Sequence, residues 1–185
     1  MMDDVPIVAG GREVPDALDR IRRYCGLRWS GGPPETWAWP YFDTVPTAHD
    51  DSVTAVDVLC AAALHPGLSR DDLTYFHERQ DDITAWLRIV PADRRLWELS
   101  EGDVQHIAAL PVDLSGPSIS LLSKVLHRKR PHAIPLVDRH VIDWYRPVIH
   151  KRAAIEAWEP LVREMQIEQL EGERRSIMDL SLIHI

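Results

Sequence analysis

Much of what usually betrays a chemistry is scarce in this chain of 185 residues. It has two cysteines, Cys25 and Cys60, and neither sits in a C-x-x-C or Cys/His ligand spacing. A disulfide framework and a structural zinc both lack support, and a reducing, cytoplasmic setting is expected. No run approaches the roughly 18 apolar residues of a membrane span. The opening "MMDDVPIVAGGREV" is acidic and lacks the basic segment and long apolar core of a secretory signal, so no membrane partner is expected. Its "VAGGREV" is too short for a phosphate-cradling loop and has no trailing Lys-Ser/Thr. Strand-like alternation is nearly absent, as are internal repeats and low-complexity linkers.

What is present reads as one all-α domain, long enough to bury its own core. Residues 1–14 form an N-terminal extension, and 15–179 a single-domain helical bundle. "PDALDRIRRYCG" reads as a short helix from Pro15 to the stop at Gly26. "WSGGPPETWAWPYFDTVP" is an ordered aromatic loop packed on the bundle. "DDSVTAVDVLCAAALHP" is a buried helix capped by Ser52 or Asp51, and "SRDDLTYFHERQDDITAWLRIVP" one long helix with Ser69 and Asp72 in capping-box positions. "ADRRLWEL" and "SEGDVQHIAALP" are two short helices, the second capped by Ser100. A helix entered through Gly116 and Pro117 follows, then the loop "PHAIPLV", a helix from Asp138, and a long amphipathic helix with a possible interruption at Pro160. The last six residues, "LSLIHI" (180–185), match what an adapter used in transposase-made sequencing libraries encodes in this frame, so the natural C-terminus is expected to be missing.

Charge is unevenly spread. Residues 122–152 hold eight Lys/Arg against Asp138 and Asp143, a local plus 6, while the whole chain carries minus 8 and the remainder therefore minus 14. Such asymmetry suggests one face for an anionic partner, either DNA or an acidic protein. The bland alternative is that basic residues near helix ends balance the acidic surface around them and the helix dipole. On a helical wheel Ile119, Leu121, Leu122, Val125 and Leu126 share one arc, and Ser120, Ser123, Lys124, His127 and Arg128 the other. The second arc is expected to be wet and to join Lys129, Arg130 and His132 of the following loop.

"SKVLHRKRPHAIPLVDRHV" resembles the K-x-L-H-R-K-R-P-x-x-I-P-x-x-D string of an actinobacterial family, a domain of unknown function, with likeness from about "YFDTV" to "DWYRP". More distantly, "IAALPVDLSGPSISLLSKVL" with "PLVDRHVIDWY" is similar to the helix-hairpin-helix core of the base-excision DNA glycosylases. That resemblance implies a degenerate hairpin holding Leu110, Pro111 and Gly116, followed by Val137, Asp138, His140 and Val141. It also implies hairpin amides on a DNA phosphate, and an aspartate, Asp138, that stabilises charge on the sugar or activates water once the base is flipped out. The departures are a missing second hairpin glycine, Asp113 near the phosphate path, Ser118 where bifunctional members carry a lysine, and no four-cysteine cluster. Any reaction would then be base release without lyase chemistry, and the sequence leans away from an enzyme.

The candidate nucleic-acid contacts are Gly116, Ser118, Lys124, His127, Arg128, Lys129, Arg130, His132, Arg139 and His140. Asp138 is the candidate catalytic carboxylate and, on position alone, a helix N-cap. His127, His132 and His140 lack the close helical spacing of metal ligands, so no metal or cofactor is expected.

Overall fold

The computed structural model describes residues 8–17, 42, 45–46, 51–64 and 67–183, with side chains as far as Glu173. The expected first helix lies almost wholly outside the described residues, as does the aromatic loop apart from Phe42. Among the described residues the chain is all-α, with eight α-helices, one 3-10 turn and one two-stranded hairpin. Strands β1 (Val8–Ala9) and β2 (Arg12–Glu13) pair antiparallel, with Val8 opposite Glu13 and Ala9 opposite Arg12. Gly10 and Gly11 close the turn at φ of 61° and 67°, a region that costs glycine little and other residues more. This "extension" is docked: Trp144 Nε1 donates to Ala9 O at 2.7 Å, Arg12 lies over the Trp144 ring, and Gly11 N donates to Glu168 Oε1 at 2.8 Å.

Three helices begin with the same device. In α1 (Ala55–Ala63), α2 (Arg70–Glu78) and α4 (Glu101–Ala108), a hydroxyl residue at the N-cap accepts from the backbone of an aspartate three residues on, whose carboxylate accepts in return. The pairs are Thr54 with Asp57, Ser69 with Asp72, and Ser100 with Asp103. Each reciprocal cap satisfies two orphan donors and is worth about 1 kcal/mol. Thr54 thus replaces the expected Ser52 or Asp51 as the cap of α1. The long helix expected from Ser69 is two, α2 and α3 (Gln80–Ile89), joined at Arg79, whose φ and ψ of −102° and 16° leave the helical region. The "RRLWEL" segment forms only the 3-10 turn Leu96–Glu98. Leu110–Asp113 makes a single helical turn, α5, with Pro111 in its first turn, where no N–H is missed.

Two helices follow, α6 (Ile119–His127), capped by Ser118, and α7 (Arg139–Ile149), capped by Asp138. The last, α8 (Ala154–Ile183), runs unbroken through Pro160. The interruption expected there does not occur, because Ala157, Trp158, Leu161 and Val162 on either side are fully buried and hold the turn despite the lost hydrogen bond. Helix α8 packs on α7, α4, α6 and the 3-10 turn, and Trp158 Nε1 donates to Ile107 O at 2.8 Å. Helix α6 sits at the centre, between α1 and α8. One contiguous core runs from Phe42 and Val53 to Val162. Among the described residues no helix is long and apolar enough to cross a membrane.

Candidate functional site

The wheel placed Ile119, Leu121, Leu122, Val125 and Leu126 correctly in the core, but its wet arc is dry. Ser123 is fully buried, and Lys124, Arg128, Lys129 and Arg130 are only 5%, 8%, 7% and 3% exposed. The surface basic face expected of these four is corrected to an interior one. A wheel ranks the two sides of a helix by polarity, whereas neighbouring segments close over the polar arc of α6 at Ser123, Lys124 and Arg128.

Each of the three consecutive cations is tied to internal acceptors. Arg128 Nε lies 3.4 Å from Asp57 Oδ1, while its two terminal nitrogens donate to Phe42 O and, at 2.8 Å, to Val45 O. Lys129 Nζ pairs with Asp57 Oδ2 at 2.9 Å. Arg130 donates from Nε to Val90 O at 2.7 Å and from Nη2 to Leu87 O at 3.1 Å, and it also pairs with Asp51. The run therefore sews the start of α1, the end of α3, Phe42 and Val45 to the central helix. Carbonyls at a helix C-terminus are unsatisfied by the helix itself, and a guanidinium fork supplies the donors they need. Asp57 does two jobs, closing the α1 capping box through Thr54 and facing both Arg128 and Lys129. His127 is half-buried, with Nδ1 2.6 Å from Ile134 O and its ring stacked on Phe42.

Of the other sequence candidates, His132, Arg139 and His140 stay on the surface, and the Arg139 side chain is 91% exposed beside Asp143 at 3.7 Å. Asp138 is a helix cap: its Oδ1 accepts from His140 N at 2.9 Å and Val141 N at 3.0 Å. Gly116, at φ of 148°, has Tyr75 packed beneath it, so that an added Cβ would stand 2.6 Å from the ring. Tyr75 in turn donates to Leu114 O at 2.9 Å, fixing the turn between α5 and α6 from below, and burial pushes its hydroxyl above the usual tyrosine range. The glycine is thus required by aromatic packing inside the fold. Asp113 is held at 3.3 Å by Trp86 Nε1 and lies 4.0 Å from His106.

Above the turn between α5 and α6 opens a cleft of about 320 Å³, between residues 111–122 and the first turn of α8. Pro111, Leu114, Pro117, Ile119, Leu122, Ala154 and Ile155 line it, together with Ser115, Ser118 and Ser120. The N–H groups of Ile119 and Ser120 lie in the first turn of α6, where no intrahelical acceptor exists. Ser120 accepts a 2.8 Å hydrogen bond from Lys124 Nζ one turn further on. Among the described residues this is the only hydrogen-bond partner of that ammonium, and no carboxylate lies within ion-pairing distance of it. Burial holds the Lys124 amine below the usual lysine range, with Asp138 pulling the other way. A second cavity of similar size, between α1 and α2, carries His77 as its sole titratable wall residue. Ser120 was missed by the sequence reading; its signal was the i, i+4 spacing to Lys124. Asp57 was missed as well, and its signal was a carboxylate set within the apolar run of α1.

Among the described residues the fold is an all-α domain in which Arg128, Lys129 and Arg130 form an interior clamp and a cleft opens beside the start of α6. The chain belongs to the family of unknown function DUF6308, whose model matches residues 17–181. No curated protein and no solved structure matches it.

Proposed function

We propose that the cleft beside the start of α6 is the working site, and that it binds a small organic molecule with a mostly apolar body and one carbonyl or anionic group. The observation that carries this reading is the arrangement of the walls. Seven apolar residues line a volume at the lower end of small-ligand sites together with three serines, two of which, Ser118 and Ser120, stand at the start of a nine-residue helix. Free first-turn N–H groups and the helix dipole favour an oxygen that is negative or becomes so.

The test uses 1-anilino-8-naphthalenesulfonate, an apolar dye with one anionic group. The full chain should bind it saturably at one site, and Ile155→Asp, an exposed wall position, should weaken binding by about tenfold or more. Equal affinity in the variant would remove the cleft as the site.

A second reading keeps nucleic acid as partner through the cations left at the surface, Arg139 and His140 in the first turn of α7 with His132, Lys151 and Arg152. Its supporting observation is the full exposure of the Arg139 side chain. Gel shifts at two salt concentrations test it, since replacing a phosphate-contacting cation lowers the log-log salt slope by nearly one.

A further inference from the structure

We propose that Ser120 and Lys124 form a nucleophile and general base, and that the protein transfers the acyl group of an ester or amide seated in this cleft to water. This rests on the cleft being the binding site and adds the reaction performed there.

Three observations carry it. Ser120 lines the cleft, and its Oγ lies 2.8 Å from Lys124 Nζ, a distance at which a proton is shared in either direction. The lysine is buried behind the serine, away from solvent that would keep it protonated, and its desolvation favours the neutral amine that a base must be. Finally, the serine occupies the second position of α6, so its own N–H and that of Ile119 point out of the helix start, where the oxyanion of a tetrahedral intermediate would be stabilised. Asp138, at the head of α7, is the charged group bearing on the lysine from the neighbouring element, and it tunes the amine without touching the serine.

The step balances without a cofactor. The neutral Lys124 amine takes the proton of Ser120 Oγ as that oxygen bonds to the acyl carbon. The resulting ammonium gives the proton to the leaving alcohol or amine as the acyl bond breaks. Water then attacks the acyl-serine, Lys124 accepts its proton, and that proton returns to Ser120 Oγ when the carboxylic acid leaves. The apolar walls suit an acyl chain of modest length, with the carbonyl at Ser120.

The experiment treats the folded full chain with an alkyl fluorophosphonate and reads intact mass, peptide mapping and dye binding together. One adduct on Ser120 is expected, absent in Ser120→Ala and slowed by about 100-fold or more in Lys124→Met, with a cooperative thermal melt kept by both variants. The labelling rate should rise with pH through a value below that of an ordinary lysine. If the parent binds the dye but forms no adduct at Ser120, the dyad is inert and the inference falls while the cleft reading stands. Labelling that is indifferent to Lys124→Met would remove the lysine as base. If the dye does not bind at the cleft, the reading beneath the inference fails first.

Discussion

Removing the Asp57 carboxylate should be among the most damaging single changes available to this fold. The side chain is fully buried, faces Arg128 Nε at 3.4 Å and Lys129 Nζ at 2.9 Å, and accepts from Thr54 N at 2.9 Å and Thr54 Oγ1 at 2.8 Å. Asp57→Ala strips the anion from two interior cations, a loss of about 3 to 5 kcal/mol for a broken buried pair. It also opens the α1 capping box, for roughly 1 kcal/mol more. The sum of about 4 to 6 kcal/mol is a large part of the 5 to 15 kcal/mol that typically separates folded from unfolded domains. For a chain of this size each kcal/mol moves the midpoint by about 2 to 4 °C, so Tm should fall by roughly 10 to 20 °C. Urea and thermal melts measure it, with Arg139→Ala as the exposed-cation control, expected within about 0.5 kcal/mol of the parent. Asp57→Asn keeps an acceptor for Thr54 and should fall between the two. An Asp57→Ala protein that melts within 1 kcal/mol of the parent would refute the interior clamp.

Three further outcomes follow from the geometry. Gly116→Ala must place a Cβ against the Tyr75 ring at a backbone angle alanine avoids, and should lose about 2 kcal/mol or more in a urea melt. Asp138→Asn still accepts both cap bonds and should melt within about 1 kcal/mol of the parent; if Asp138 also acted on a flipped base, base release from damaged duplexes would appear in the parent and vanish in this variant. Lys124→Met should be as stable as the parent or more so near neutral pH. The folded amine sits below its ordinary value of roughly 10.4, so below the folded pKa both states are protonated and the parent bears the full penalty. As pH rises from the folded toward the unfolded pKa, the unfolded chain holds more protons, the parent gains stability, and the advantage of Met narrows. Melts between pH 7 and pH 10 in which the parent instead loses ground to the variant would refute that sign.

The helices were legible because their starts are written in short local code. Ser69 with Asp72, Ser100, and Asp138 each satisfy N–H groups within three residues, so no knowledge of the rest of the chain is needed. The break at Arg79 and the passage of α8 through Pro160 were not legible, since each is decided by what packs against the segment. The same holds for the basic stretch. Its polarity implied a wet face, but Arg128 and Arg130 find their acceptors on Phe42, Val45, Leu87 and Val90, about 40 to more than 80 positions away in sequence. A hint existed in Ser123, which sits on the polar arc yet is small enough to be enclosed and bridges to Val137 at 3.3 Å. Gly116 was noticed for the right reason, a backbone needing glycine, but the space its missing Cβ leaves is filled by Tyr75.

Residues 124–130 therefore contain two different ways of burying a cation. Arg128, Lys129 and Arg130 are surrounded by carbonyls left over at segment ends and by Asp51 and Asp57, so the desolvation of each is offset by donors and acceptors that need one another. Lys124 has a serine hydroxyl and the distant pull of Asp138. Nothing in the clamp requires it, since α6 is already enclosed by Leu121, Leu122, Val125 and Leu126. An uncompensated interior amine lowers stability, and such costs tend to persist where a side chain acts on something outside the fold. Among the described residues Lys124 Nζ has one hydrogen-bond partner, Ser120, and Ser120 lines the cleft. The chemistry of this chain is to be sought at that pair rather than in the more basic sequence that follows it.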